Sequence, residues 1–341
     1  MWAKTLLLIA LCLLQSLAFA EGLESSNLKL AGERPDASGP PTPITMGIYV
    51  LDIDAIDDVK QVFSIDMFVS VSWQDDRLAL SETERKGDTR RVPLDEIWTP
   101  RGFIVNARGL NAQLPRIADI DDYGAVSFSQ RLTGELAADL ELREFPFDSQ
   151  KLPIDFLTYQ YSKDEMEFSL NNEISGDDGS FSIEGWTMQI LDPVSSEFKP
   201  KGSSVIHPRI TYYIEAKRNS RYYLVTMFLP MGLIVFMAWM VFWVPPDVIP
   251  SRIAISTASI FSLIAFGFSI RLSLPPVSYM TRADLFTMSC MFMVFLALTV
   301  AVIGSRWAST DRLPAAFKLS AWMRWVYVLL FMATSSIAFT M

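Results

Sequence analysis

The chain has 341 residues, of which 50% are hydrophobic, and a formal net charge of −9 with one histidine and two cysteines. This length is enough for two domains. The sequence holds no Ser-His-Asp order, no metal-ligand spacing and no glycine-rich phosphate loop, so an enzyme is not expected. We likewise expect no cofactor, no metal site and no nucleic-acid partner.

The first twenty residues predict a secretory signal peptide over 1–20. Lys4 precedes an apolar stretch over 6–14, and residues 18–20 read Ala-Phe-Ala, a small-x-small cleavage site. Residues 21–43 follow and are rich in proline, which favours turns and an irregular chain. They are predicted to form a flexible leader.

Charge divides the remaining chain into two domains. Residues 21–217 hold 19 Lys and Arg against 35 Asp and Glu, a net −16, whereas residues 218–341 hold 9 against 3, a net +6. We expect a water-soluble acidic domain over 44–217 and a membrane domain over 218–341. Cys12 leaves with the signal and Cys290 lies in an apolar run, so no disulfide is expected in the exported domain.

Short β-branched and aromatic stretches alternate with turn signals through the exported domain. In residues 62–73 apolar side chains occupy every second position from Phe63, which predicts a strand with one buried and one exposed face. Further stretches of this kind lie at 103–110, 124–132, 151–161, 186–191 and 209–217. The pattern predicts an all-β, immunoglobulin-like antiparallel sandwich.

Four apolar runs in the second domain are long enough to cross a bilayer as an all-α four-helix bundle. Their predicted bounds are about 222–243, 251–272, 284–304 and 325–340. The linker before the last run is rich in Lys and Arg, as cytoplasmic loops usually are. We therefore expect a multi-pass membrane protein whose N-terminal domain is periplasmic or extracellular.

The second apolar run carries small hydroxyl side chains along one flank. Ser256, Thr257, Ser259 and Ser262 lie within a segment of spanning length. A spanning helix with such a flank needs a protein neighbour or water against it, so it belongs inside a bundle or along a pore. Ion conduction is therefore the first functional hypothesis.

Five motifs in register show a resemblance over residues 47–341. They are Trp73-x-Asp75-x-Arg77-Leu78, Trp98-Thr99-Pro100, Phe145-Pro146-Phe147-Asp148-Ser149-Gln150, Arg221-Tyr222-Tyr223 through Leu229-Pro230, and Leu274-Pro275-Pro276-Val277-Ser278-Tyr279. In this order they resemble motifs of the pentameric ligand-gated ion channels, the family of the Cys-loop receptors and their bacterial relatives. The resemblance implies a homopentamer with the second spans around the pore and an agonist pocket between neighbouring sandwiches.

Two departures from the eukaryotic pattern indicate the bacterial branch. Ala138 and Leu152 stand where eukaryotic members have the two cysteines that flank the Phe-Pro-x-Asp turn. The long cytoplasmic insertion before the last span is also missing. The expected location is therefore a bacterial inner membrane, with lipids, permeant inorganic ions and a small agonist as further partners.

The register implied by the resemblance turns one face of the second span toward the pore axis. The six positions on this face are Ser251, Ala254, Ala258, Phe261, Ala265 and Phe268. Phe261 and Phe268 would then form an apolar gate that closes by dewetting. Periodicity alone would instead turn the hydroxyl flank toward water; we follow the register and expect the hydroxyls to contact neighbouring helices. The alternative is that the phenylalanines only pack against lipid or other helices.

The sequence contains some charged residues that favour anions and others that favour cations. Pro250-Ser251-Arg252 resembles the Pro-Ala-Arg of anion channels at the inner mouth, and Arg271 would add a positive ring at the outer mouth, which favours chloride. The acidic sandwich and Asp247 favour cations instead. Anions are the first expectation, and a cation channel of the same fold is the alternative.

A charged cluster is implied at the base of the sandwich. The resemblance places Asp58 and Asp148 on loops above the membrane and Arg218 before the first span, and it adds Pro275 from the loop after the second span. A partly desolvated arginine between two carboxylates transmits movement from loop to helix. The alternative is a solvated surface cluster worth less than about 1 kcal/mol.

The agonist pocket is implied at the subunit interface. The residues that the resemblance places on one side are Tyr159, Tyr161, Phe198 and His207, and those on the complementary side are Phe68 and Arg131. Aromatic faces attract ammonium groups, which favours an amine. Val105 stands where relatives often have an aromatic residue, so the aromatic cage would lack one ring. Histidine side chains titrate near neutral pH, so protons are a second candidate agonist.

Two rival functions remain open. A membrane-tethered binding module would also have an exported sandwich but would need only one span. A transporter would show internal repeats and charges in the middle of its spans, whereas Arg252 and Arg271 lie at helix ends.

Overall fold

A computed structural model of the protein describes residues 32–170, 174–179, 181–271, 277–310 and 312–340. Within these ranges, thirteen strands come first and four long helices follow. The predicted signal peptide over 1–20 lies outside the described residues. The described chain is thus a β domain followed by a helical domain.

The strands of the first domain are mostly short, apart from five of ten or more residues. Their bounds are β1 (Thr42–Asp57), β2 (Val62–Gln74), β3 (Arg90–Pro93), β4 (Gly102–Ile104), β5 (Asn111–Ala112), β6 (Ile117–Ile120), β7 (Ala125–Ala137), β8 (Ser149–Thr158), β9 (Met166–Leu170), β10 (Gly176–Asp177), β11 (Trp186–Ile190), β12 (Val194–Phe198) and β13 (His207–Arg218).

These strands form two sheets that enclose one apolar core, which is a β-sandwich. The larger sheet has the order β10-β1-β2-β7-β6-β3, with β5 added on β7 and β9 on β1. The smaller sheet has the order β11-β13-β8-β4, with β12 added on β13. Most pairs are antiparallel, and only the pairs of β1 with β9 and β10 are parallel among those described.

The period-two pattern of β2 fits its burial. Phe63, Ile65 and Met67 point into the core and are at most 1% exposed, while Phe68 is half-buried on the other face. Trp98 lies deep in the same core, 1% exposed, and its indole Nε1 donates a hydrogen bond to the Tyr161 hydroxyl at 2.7 Å. Apolar burial therefore holds the sandwich together, with buried hydrogen bonds such as this one inside it.

The end of the predicted leader is folded. The buried Arg34 side chain donates hydrogen bonds to the Pro40 carbonyl at 2.8 Å and to the Thr42 hydroxyl at 2.9 Å. This guanidinium closes the turn that enters β1, because a buried arginine needs acceptors and the turn supplies them. The prediction of a flexible leader over 21–43 is therefore wrong for the residues from 34 onward.

Two other predicted elements differ from the structure. The stretch 103–110 is a strand only as far as Ile104, since the chain then turns and Asn106 donates hydrogen bonds to the Ala137 and Pro153 carbonyls. The long first strand, β1, was not among the predicted stretches. Its alternating pattern is interrupted by bulges after Val50 and Ile53, which weakens the sequence signal.

The helical domain contains α1 (Arg221–Trp243), α2 (Ile249–Arg271), α3 (Arg282–Ser309) and α4 (Leu313–Thr340). Each of the four is long and apolar enough to cross a membrane. They share a second apolar core, which also takes in Leu142 and Phe145 from a turn of the sandwich. The described chain is thus a sandwich followed by a bundle of four helices of membrane-spanning length.

The first spanning helix widens where Pro230 enters it. Residues Leu224–Phe228 form a π-helical turn, and the Leu229 amide donates to the Leu224 carbonyl five residues earlier. A proline ring clashes with the carbonyl four residues before it and offers no amide hydrogen. The wide turn relieves this clash, and it gives α1 an irregular segment next to the sandwich.

The fourth helix begins twelve residues before the predicted start of its span, at Leu313. The Arg324 Nε donates to the Phe242 carbonyl at 3.1 Å, and its guanidinium lies 4.4 Å from the ring centre of Trp243. The Trp239 indole in turn donates to the Arg324 carbonyl at 2.8 Å. The basic segment that was predicted as a linker thus extends α4, because its charges find partners at the end of α1.

Candidate functional site

The predicted pore face of α2 is the side that the subunit leaves uncovered. All six of its side chains are exposed, and Phe261 and Phe268 are each 67% exposed. The opposite side is buried against the other helices through Arg252, Ser256, Ser259, Leu263 and Gly267. The structure therefore gathers the six positions on one continuous helical surface; that they line a pore stays a prediction.

The hydroxyl flank of α2 points mainly into the bundle. Ser256 and Ser259 are fully buried, and the Ser259 hydroxyl donates to the Ile255 carbonyl at 2.9 Å. Thr257 is half-buried and Ser262 is exposed. A serine that bonds the carbonyl one turn earlier needs no water, so this flank can face other helices.

Arg252 does not lie on the predicted pore face. Its side chain is fully buried, and its Nη2 donates to the Ser320 hydroxyl of α4 at 3.2 Å. Pro250, Ser251 and Arg271 are exposed. The expectation that Arg252 forms a charged ring at the inner mouth is therefore corrected, because the helix turns this position toward the interior of its own subunit.

The junction between the two domains is closed by one buried arginine. The Arg218 Nε donates to Asp148 at 2.9 Å, and its Nη2 donates to both oxygens of Asp58 at 3.0 and 2.9 Å. The Arg218 and Asp148 side chains are only 5% and 2% exposed. The structure thus brings the three predicted coupling residues into direct contact; Pro275 lies outside the described residues.

Aromatic rings enclose this cluster. The Arg218 guanidinium carbon lies 4.2 Å from the ring centre of Trp186 and 4.9 Å from that of Phe145. Such enclosure removes water and strengthens the attraction between the charges. The cluster is consequently more than a solvated surface pair.

The pKa shifts of Arg218 and Asp58 reflect the opposing effects of burial and of their mutual attraction. Burial lowers the pKa of the Arg218 guanidinium, but its hydrogen bonds to Asp148 and Asp58 more than reverse this, so the net shift is upward. Burial raises the pKa of the Asp58 carboxyl, and the attraction of Arg218 only partly offsets the rise. The shifts differ because one cation is shared between two carboxylates.

A second set of contacts at the junction was missed by the sequence analysis. The Arg282 amide donates to the Arg143 carbonyl at 2.9 Å, the Ala283 amide donates to the Phe145 carbonyl at 3.2 Å, and the Tyr279 hydroxyl accepts from the Leu142 amide at 2.9 Å. The first amides of α3 thus find acceptors in the turn of the sandwich. The sequence signal that could have indicated these contacts was the start of a helix shortly after the motif that ends at Tyr279.

The predicted agonist residues of the smaller sheet lie at the end of β8 and at the β12–β13 hairpin. The His207 ring stacks on Tyr159 with centroids 4.8 Å apart and planes 13° apart, and Phe198 is its neighbour across the ladder. Tyr159 is 58% exposed and offers an open aromatic face. Three of the four predicted residues therefore form one cluster beside the loop over 199–206.

Tyr161 departs from its predicted role. Its side chain is buried, its hydroxyl accepts the hydrogen bond from Trp98, and its carbonyl lies 3.0 Å from the His207 Nδ1. A ring held in the core cannot form a ligand cage. Tyr161 is therefore corrected to a core residue that supports the position of His207 from below.

The complementary pair lies on the larger sheet. Phe68 on β2 faces Arg131 on β7 directly across the ladder. The Arg131 guanidinium donates two hydrogen bonds to Asp66, at 3.0 and 2.6 Å. Within the chain this pair lies on the larger sheet and the Tyr159 cluster on the smaller one; that a neighbouring subunit brings the two surfaces together stays a prediction.

A separate cavity of about 440 Å³ lies in the sandwich. It is mainly apolar, and its walls include Val71, Trp73, Phe103, Gln130 and Phe156. None of the six predicted ligand residues lines it. It is thus distinct from both predicted agonist surfaces.

The fold and the junction define a multi-pass membrane receptor, in which an extracellular β-sandwich is fastened to four spanning helices. Residues 30–220 match the model described as neurotransmitter-gated ion-channel ligand binding domain. Residues 227–336 match the model described as neurotransmitter-gated ion-channel transmembrane region. The chain therefore belongs to this family of ligand-gated ion channels, whose members form pentameric channels, bind small ligands and pass ions.

The buried junction predicts a large effect of Arg218→Ala on stability. Removing the guanidinium leaves two carboxylates without their cation, which costs about 3–5 kcal/mol for a buried pair. Thermal unfolding of the purified protein should show a clearly lowered midpoint. Arg91→Ala is the matched control, since Arg91 is 81% exposed beside Asp119; equal melting of the two variants would contradict the prediction.

The corrected position of Tyr161 predicts that Tyr161→Phe destabilises the sandwich. The substitution leaves the buried Trp98 Nε1 without its acceptor, at a cost of about 1–3 kcal/mol. Tyr159→Phe, at an exposed ring, should leave the unfolding midpoint unchanged. If Tyr161→Phe melted like the wild type, the hydrogen bond to Trp98 would be unimportant.

Proposed function

We propose that the protein is a homopentameric ligand-gated channel of a bacterial inner membrane, with the sandwich on the periplasmic side and the α2 helices around the pore. The observation that carries this proposal is the uncovered face of α2 opposite its buried side. The buried side of α2 already packs against the other helices of its own subunit. With α2 next to the symmetry axis of the pentamer, its uncovered face would line the pore. The proposed leader and signal peptide agree with export of the sandwich.

The uncovered face alternates between small and large side chains. Ala254, Ala258 and Ala265 leave room, while Phe261 and Phe268 fill it. The two phenylalanines are seven residues apart, which is about 10.5 Å along a helix. Five copies of each would form two apolar constrictions, and water leaves narrow apolar pores readily, so these rings would act as the gate.

We propose that anions, chloride foremost, are the permeant ions. Arg252 does not face the lumen, but no carboxylate among the described residues forms an ion pair with it. A buried, unpaired charge is weakly screened, so its field reaches a nearby pore. The exposed Arg271 adds positive charge at the outer end of α2.

Cation conduction is the second candidate. The sandwich carries a net −16, and such a domain above a pore concentrates cations. The correction of Arg252 strengthens this alternative, because no positive ring is left on the inner pore surface. Asp247 is exposed at the turn before α2 and would add negative charge at the inner mouth.

The proposed agonist site lies between two sandwiches. Tyr159, Phe198 and His207 would form one wall, and Phe68 with Arg131 of the neighbouring subunit would form the other. The open face of Tyr159 favours a small amine through cation–π attraction. Protons are the second candidate, because His207 lies in the same cluster.

One strand connects the proposed agonist site with the membrane. β13 begins at His207, ends at Arg218 and is followed directly by α1. Its twelve residues span about 40 Å as an extended strand. A ligand that moves the hairpin at His207 would displace Arg218 between its two carboxylates and thereby α1, which is the proposed route of gating.

Ion charge can be read from reversal potentials in a planar bilayer. With purified protein and a KCl gradient, we expect unitary currents that reverse near the chloride equilibrium potential, opened by acidification or by a series of straight-chain primary amines. Reversal near the potassium potential would establish the cation alternative. Ligand binding without any current would instead support a membrane-tethered binding module.

The gate proposal predicts that Phe261→Ala raises the basal current. The substitution widens the apolar constriction, so water and ions pass at rest. Phe292→Ala is the matched control, because Phe292 is a similarly exposed phenylalanine on α3. An unchanged resting conductance for Phe261→Ala would remove this residue from the gate.

A further inference from the structure

The buried guanidinium of Arg252 connects two helices that lie on different sides of the bundle. It starts on α2, and its Nη2 donates to the Ser320 hydroxyl of α4 at 3.2 Å. Ser320 is only 2% exposed, so the bond is shielded from both water and lipid. Because α2 is packed mainly against α1 and α3, this bond is a direct link from α2 to the fourth helix.

Gly304 of α3 provides the space for this link. A Cβ added at Gly304 would lie 3.2 Å from the Arg252 Nη1 and 3.7 Å from its Cζ. That distance is tighter than ordinary carbon contacts, so any side chain here would push against the guanidinium. The arginine thus reaches α4 across a point where α3 has only backbone.

The guanidinium is held by few contacts. Among the described residues, its Nε and Nη1 have no hydrogen-bond partner. The hydroxyls of Ser256, one turn later on α2, and of Ser305, next to Gly304 on α3, are also buried without one. A buried charge with a single neutral hydrogen bond does not recover its desolvation cost, so this contact does not hold the helices firmly. The guanidinium can exchange this single hydrogen bond for another at low cost, as expected of a side chain that moves rather than of a rigid support.

The two connected helices face different surroundings. α4 is the least buried of the four spanning helices and exposes large apolar side chains, including Trp325 at 73%, Leu329 at 69% and Met332 at 66%. In a membrane this side contacts lipid. α2 carries the proposed pore face, so the bond between Arg252 and Ser320 joins the lipid-facing helix to the pore helix.

We propose that Arg252, Gly304 and Ser320 form a latch that transmits the position of α4 to the inner end of α2, and that opening of the channel depends on it. Arg252 is then a positioning residue: it sets the rotation of α2 and hence the orientation of Phe261 and Phe268. The latch rests on the proposed channel function and adds a route by which the surrounding membrane acts on the pore.

The test uses Gly304→Ala and Ser320→Ala, because both leave the charge of Arg252 in place. Each variant and the double variant are recorded in planar bilayers with pH steps or straight-chain primary amines as the stimulus. We expect each single change to shift the half-maximal stimulus in the same direction by about threefold or more. The double variant should shift it no further than the larger single change, since both break the same bond.

Two matched controls accompany these variants. Gly232→Ala adds a methyl group to a helical glycine with no atom within 4 Å of the new carbon, and Thr299→Ala removes a hydroxyl that bonds the Phe295 carbonyl within α3. Both should stay within about twofold of the wild type. The reversal potential should be unchanged in every variant, which separates positioning from ion selectivity.

Thermal unfolding of the same purified proteins gives a readout that needs no current. Gly304→Ala and Ser320→Ala should lower the unfolding midpoint less than additively when combined. Additive effects on gating, or a wild-type response in both variants, would overturn the latch while the wild type still conducts. A wild type that conducts under none of these stimuli would overturn the channel assignment and the gating role of the latch together, whatever the melting data show.

Discussion

The attraction of Arg218 for two carboxylates is the interaction on which the joining of the domains depends. The sandwich and the helices have largely separate apolar cores, which meet where Leu142 and Phe145 of the sandwich pack into the helical core. The charged contacts beside this small apolar junction therefore matter for how the two domains are joined. Arg218 ends β13 and draws together Asp58 and Asp148, which come from different turns of the sandwich. Because one guanidinium serves two carboxylates, the ion pair with Asp58 and the ion pair with Asp148 compete for it. The backbone amides of Arg282 and Ala283, at the start of α3, add hydrogen bonds to carbonyls of the turn that precedes Asp148.

Much of the fold could be predicted from the sequence because it follows from local periodicity. Alternation in β2 and the length of the four apolar runs each need only neighbouring residues. The Arg218 cluster could also be placed, since the resemblance to the family implies acidic residues at Asp58 and Asp148 and a basic residue at Arg218. The start of α4 could not, because the charged residues Lys318 and Arg324 look like a linker until the end of α1 supplies a carbonyl and a tryptophan ring. The folded end of the leader was hidden in the same way by proline-rich composition.

The two misplaced site residues share one cause. Tyr161 and Arg252 were assigned from the motif register, which gives a position along the chain but not the direction of the side chain. Direction depends on what packs behind the element: Trp98 offers a donor inside the sandwich, and Gly304 leaves a gap inside the bundle. Neither Trp98 nor Gly304 is close in sequence to the residue that it contacts, so no local sequence pattern indicates these contacts. Tertiary contacts decide which face of a strand end or a helix is covered.

The two buried arginines follow opposite electrostatic rules, and this difference bears on gating. Arg218 has surplus negative charge around it, so its position is defined by strong, competing bonds. Arg252 has one neutral acceptor and no carboxylate among its described neighbours, so its position is defined mainly by shape, through Gly304 and Ser320. A movement that starts at the first must therefore break or exchange ion pairs, whereas one that reaches the second meets little resistance beyond a single hydrogen bond. Strong contacts at the sandwich and a weak contact at the inner end of α2 make this end of α2 easier to displace than the junction at Arg218.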